Sequence, residues 1–265
     1  MGELPTFTMQ APYPLIPVPT ISQDDWMDKR KTLCWDMSLI HNVFIRSVNT
    51  IWNNAPLVTP QDEVSFAGYA LTMAAAIHTH HHSEETIVFP FLATKLPMEE
   101  NIEQHEQFQA GLKEFIAYFQ EVFNGKAKYD ATKTRELVAS FGGALVQHLH
   151  DEIPTISPEA LSVLDTEGFD KMMHGTLCKA TVHSKDSSKL LVLELEEHIK
   201  SAPGLFTIFP FTLSNHDYAA TPNWPPIPGP LSWFVRHIAV WRHSSYWKFS
   251  SFDMAGRPKT YSPGR

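Results

Sequence analysis

Cysteine, basic charge and long apolar runs are what this chain of 265 residues has least of. Its two cysteines, Cys34 and Cys178, lie far apart with no CxxC spacing. That excludes a disulfide scaffold and a cysteine-based zinc site and fits a reducing, cytoplasmic setting. Lys and Arg total 21 against 29 for Asp and Glu, a formal charge of -8. Such a balance argues against a nucleic-acid partner or an anionic membrane surface. The longest apolar stretch, Leu137 to Val146, is about half the roughly 20 residues a membrane span needs, so no membrane partner is expected. The N-terminus has no basic segment, and Pro5, Pro12, Pro14, Pro17 and Pro19 prevent a signal-peptide helix. Met1-Gly2 with Thr6 meets the myristoylation pattern, but without a polybasic second anchor the expectation is no lipid anchor.

Histidine and helical periodicity are what is there. The 14 histidines are about twice the number expected of an average globular chain. With 43% hydrophobic and 12% aromatic residues the chain can bury a full core without disulfides. Residues 1 to about 22 read as an extended proline-rich arm, because each proline removes a backbone donor and pushes its predecessor out of the helical region. From Ser22, with Ser22 or Asp24 as N-cap, Cys34, Met37, His41, Phe44, Val48 and Trp52 share one helical face, and Pro56 ends it. A second helix, about Gln61 to Ala93, carries Phe66, Tyr69, Met73, Ile77, His80, Glu84 and Val88 at the same spacing, with Pro90 kinking or closing its last turn. The third presents Ile102, His105, Phe108, Leu112, Phe115 and Phe119 before Asn124-Gly125 stops it. The fourth, about Ala131 to Pro154, presents Leu137, Phe141, Leu145, His148 and Glu152.

Four amphipathic helices joined by short loops predict an all-α, up-down-up-down bundle over residues 23–165, with a di-metal centre in its core. Residues 166–265 read as a C-terminal cover packed on it. That segment has helical periodicity around Leu191, Leu193 and Leu195, with the acidic Glu194, Glu196 and Glu197. It then becomes an irregular stretch rich in proline and aromatic residues after Pro203.

Each helix brings a histidine onto its apolar stripe, and two helices add a glutamate four residues later, His80 with Glu84 and His148 with Glu152. Residues four apart share a helix face, with Cβ atoms about 5–6 Å apart, so each pair can converge on one metal or on two adjacent ones. His41 and His105 complete a set of four imidazoles and two carboxylates. Buried carboxylates cost several kcal/mol without compensation, and a core holding this set calls for cations between them. The run His78, His80, His81, His82, Glu84, Glu85 offers two registers. Stepping by threes and fours from Phe66 lands on His80 and Glu84, whereas His81 with Glu85 lies about 100° further round, so the first is preferred, the second stays open as the ligand pair, and the other histidines of the run read as flanking or supporting residues. His150, His174, His183 and His198 lack paired spacing and read as surface or structural residues.

The segments LIHNVFIRSVNTIW, HHHSEETIVFP, NIEQHEQF and HLHDEIPTI, in that order over about residues 30 to 160, resemble the hemerythrin-like, or HHE cation-binding, family, specifically its fungal members. The resemblance implies a four-helix bundle with two non-haem iron ions, bridged by carboxylate and an oxo or hydroxo group. His41, His80, Glu84, His105, His148 and Glu152 would be the metal ligands. The oxygen-carrying members have a further histidine four residues before the equivalent of His105; here that position is Asn101, either a weak oxygen ligand or a place for water. The more open site implies O2-dependent oxidation of a small organic substrate. Phe206, Phe209, Phe211, Trp224, Trp233, Phe234 and Trp241 would line or lid a pocket, and His216 and His237 would be acids, bases or structural residues. The alternatives are a non-enzymatic iron, O2 or NO binding, storage or sensing protein, and a structural zinc site. The substrate, the electron donor and the oligomeric state are not readable from the residues.

Overall fold

The computed structural model describes residues 12–179 and 204–264, with side chains between 174 and 179 excepted. The start of the arm, the Leu191–Leu195 stretch with its acidic run, His183 and His198 lie outside the described residues, as does the side chain of His174. Four long helices, α1 (Lys29–Asn54), α2 (Glu63–Ser83), α3 (Glu99–Phe123) and α4 (Ala131–Thr155), form the bundle. Each packs on its successor and α1 closes on α4. Consecutive helices run antiparallel: Phe66 near the start of α2 meets Phe119 near the end of α3, and Asn101 near the start of α3 bonds Thr155 at the end of α4.

Helix α1 begins at Lys29, later than the Ser22 start expected. Asp28 has extended backbone (φ -94°, ψ 106°) and its carboxylate accepts from the Arg30 amide, a stronger N-cap than Ser22, whose side chain caps nothing. Residues 23–25 form only a 3-10 turn. At its other end α2 passes into a π-helical turn, Glu84–Val88, closed by the Phe89 amide on the Glu84 carbonyl. A last α turn, Phe89–Leu92, follows with Pro90 near its start. Gly125 after α3 has φ 70°, the left-handed conformation that ends a helix most cheaply with glycine.

The described part of the arm is held to α1 by two asparagines. Asn42 accepts from the Ile16 amide and donates to its carbonyl, and Asn49 does the same for Tyr13. After α4 come α5 (Thr166–Lys179), α6 (Ile208–Asn215) and α7 (Gly229–His237). The segment after residue 204 packs on α1 and on the start of α2. Phe211 and Phe249 lie against Tyr69, Asn54 bonds the Phe249 carbonyl, and a Cβ at Gly68 would overlap the Tyr246 ring. Trp233 and Trp241 are mostly exposed. Phe211 and Phe249 therefore pack on the start of α2, away from His80, whereas Trp224 is buried against α1 at Asp36. No helix among the described residues is long and apolar enough to cross a membrane.

Asp36 on α1 faces this segment and accepts a 3.2 Å hydrogen bond from Trp224 Nε1. Burial raises its carboxyl to about 6, against the pull of Lys29 and of that bond. The folded state thus holds the proton more tightly than the unfolded chain, so stability falls as pH rises from about 4 to about 6 and then levels off. Holding a carboxyl proton up to pH 6 rather than pH 4 is worth about 3 kcal/mol across that range. Asp36→Asn is expected to raise the urea midpoint of the metal-free protein at pH 7.5 and to flatten its dependence between pH 4.5 and 7.5. Parallel profiles for the two proteins would refute this.

Candidate metal centre

The midsection of the bundle brings His41, His80, Glu84, His105, His148 and Glu152 together, and His81 with them. Apart from His80, whose side chain is 15% exposed, all are buried. Their ligand atoms form two groups. In one, His81, Glu84, His105 and His148 lie within 4.8 Å of one another; in the other, His41, His80 and Glu84 do. Glu84 belongs to both: its Oε1 is 2.8 Å from His80 Nε2 and its Oε2 is 3.6 Å from His105 Nε2. Glu152 Oε2 spans the same gap from α4, 3.4 Å from His41 Nε2 and 3.8 Å from His148 Nε2.

Outward-facing ring nitrogens are tied down by acceptors, which fixes the tautomers. His41 Nδ1 donates to the Leu149 carbonyl at 2.8 Å. His105 Nδ1 donates to Glu85 Oε1 at 2.8 Å. His148 Nδ1 faces Gln104 Oε1 at 3.3 Å, and Gln104 donates in turn to Asp151. With protons on Nδ1, the Nε2 atoms of His105 and His148, 3.0 Å apart, present lone pairs to each other, which is repulsive unless a cation lies between. Two nitrogens bound at a right angle to one metal, each about 2.1 Å away, are about 3.0 Å apart. Carboxylate and carbonyl partners behind the ligating histidines are the usual support of a metal site.

Charge and satisfaction point the same way. Loss of hydration holds His41, His81 and His148 well below the ordinary imidazole range and His80 at about 3, so these rings are neutral and ready to ligate. Burial raises Glu84 and Glu152, and Glu84 raises Glu152 further. Both oxygens of Glu84, both of Glu152 and His81 Nε2 are buried with no hydrogen bond. Buried polar atoms are rarely left this way. Five orphaned acceptors converging on one spot, all of the kind that binds cations, fit bound metal and fit nothing apolar.

Asn101 is buried but turned to other partners, donating to Thr155 Oγ1 and to Met98 Sδ. His150 donates to the Pro14 carbonyl, His216 to that of Thr221, and His237 lies beside Trp233. All three stand apart from the groups. The rings against the cluster come from the bundle, Phe44 on His80 and Phe89 and Phe108 on His105. His81 stood second in the sequence reading because it lies off the periodic stripe; the second HxxxE frame in HHHSEE was its signal, and that frame's Glu85 supports His105.

A helical bundle with a histidine from each of four helices and two glutamates around one buried centre is a metal-binding bundle. The chain belongs to the hemerythrin HHE cation-binding domain family, whose model matches residues 52–160. It is similar, at 30% identity over 259 residues, to a dimeric xanthone biosynthesis cluster protein of Cryptosporiopsis sp. (strain 8999), covering 94% of this chain and 90% of that protein. No solved structure matches. His41, on α1, lies outside the family match and inside the cluster.

Proposed function

We propose that the chain is a non-haem di-iron protein that binds O2 and uses it to oxidise a small organic substrate. The observation that carries this is the division of the cluster into two histidine groups sharing Glu84. His41 and His80 would hold one iron and His105 and His148 the other, with Glu84 and Glu152 bridging. Two carboxylates offset much of the charge of two divalent ions, and imidazole with carboxylate is a donor set that suits iron. When bound, a ferrous pair supplies electrons for the reduction of O2. Phe44, Phe89 and Phe108 wall the centre from water, and the partly exposed edge of His80 marks the side from which small molecules approach. The relative's place in dimeric xanthone biosynthesis supports a substrate drawn from small-molecule biosynthesis.

The test is iron content per chain after anaerobic ferrous loading, followed by O2 uptake with and without candidate aromatic substrates. Two irons and substrate-dependent uptake are expected. Reversible O2 or NO binding without turnover would make the protein a binder, and a single redox-silent zinc would end the di-iron reading.

A further inference from the structure

We propose that His81 is itself a metal ligand, the third histidine of the buried group with His105 and His148; this rests on the reading of the cluster as a metal centre. His81 is 5% exposed. Its Nδ1 donates to the Ile77 carbonyl, one turn back, at 2.8 Å, which leaves a lone pair on Nε2. That atom has no hydrogen bond. A core histidine held for packing alone would satisfy both nitrogens, since an unpaired buried acceptor costs about 1–3 kcal/mol. The ring sits edge-on to His105, with centroids 4.5 Å apart, and 5.2 Å from His148.

Adjacent helix residues diverge by about 100°, and here that divergence is used. His80 turns toward His41 and Phe44, while His81 turns toward α3 and α4. The π turn begins at Glu84, just after the pair, and Glu84 lies between the two groups while Glu85 reaches His105 Nδ1. Such turns insert an extra residue into a helix and are frequent at functional sites. On α3, one turn before His105, Asn101 spends its amide on Thr155 and Met98. The buried group is thus completed from α2. It would hold its metal with more histidines than the His41–His80 group, so the open coordination positions lie on the partly exposed His80 side.

The experiment is proton NMR of the ferrous-loaded, 15N-histidine-labelled protein under anaerobic conditions. A histidine bound through Nε2 keeps its Nδ1 proton, which gives a paramagnetically shifted, solvent-exchangeable resonance. The wild type is expected to show one for each of His41, His80, His81, His105 and His148. His81→Phe, which keeps the ring volume and removes the donor, is expected to lose one such resonance and to bind one iron equivalent at least about tenfold more weakly. His82→Gln is expected to lose neither. A wild-type spectrum without a shifted His81 proton would overturn the assignment even if the variant failed to fold, as would an unchanged spectrum and affinity in His81→Phe. A wild type that binds no iron would instead defeat the metal-centre reading on which the assignment rests.

Discussion

Glu84→Ala is expected to empty both metal positions at once, taking iron from about two per chain to near zero after desalting. His41→Ala and His148→Ala should each weaken chiefly the position their own group holds. The reason is the placement of the Glu84 carboxylate, with one oxygen beside His80 Nε2 and the other toward His105 Nε2. Loss of groups that merely orient a ligand costs about 10–100-fold in metal affinity. A bridging ligand shared by two ions should therefore cost more than about a hundredfold at each. Glu152→Ala should be the milder of the two changes, because Glu152 Oε2 stands further off, 3.4 Å and 3.8 Å from its histidines. Metal analysis of the three classes of variant decides the matter. Two irons retained in Glu84→Ala would mean that the groups are independent and that Glu84 bridges nothing.

That hierarchy could be drawn only in part from the sequence. The stripe on each helix was legible because burial imposes the helical period on apolar residues, and His41, His80, His105 and His148 fall in phase with those stripes. The bundle followed, since four such helices with short connections have few other ways to bury their faces. His81 was legible only as the less favoured of two registers, because a residue 100° off the stripe belongs to the core only if the bundle is thick with side chains on both sides of it. The π turn beyond Ser83 leaves no period of its own in the sequence. Nor were the supports: Glu85, Gln104 and the Leu149 carbonyl are defined by where a ring's outward nitrogen ends up, which is a property of packing. The aromatic residues expected around a pocket are legible as buried or exposed only once their partners are known. Phe211 and Trp224 found partners on the bundle, whereas Trp233 and Trp241 remained largely outside. The start of α1 moved from Ser22 to Lys29 because a competent cap, Asp28, stood nearer the periodic residues than the caps first in line.

Loading the metal-free protein with ferrous iron is expected to raise its thermal midpoint by about 8–16 °C. A ligand at a thousand times its dissociation constant stabilises a fold by about 4 kcal/mol, and each kcal/mol is worth roughly 2–4 °C for a chain of this size. Glu84→Gln distinguishes a metal centre from a polar network that merely holds the helices together. In the metal-free protein the carboxylates of Glu84 and Glu152 are buried without hydrogen bonds, burial raises the proton affinity of both, and Glu84 raises that of Glu152 further. Replacing one by a neutral amide relieves that cost, so the metal-free variant should be more stable than the metal-free wild type. With iron the order should reverse, because the variant has lost the charge and the bridge that the ions require. A structural network behaves otherwise: removal of a member lowers stability with or without iron. Melting curves of the two proteins, each with chelator and with ferrous iron, separate the cases. Uncrossed curves, or a midpoint indifferent to iron, would show that the cluster is not built around cations.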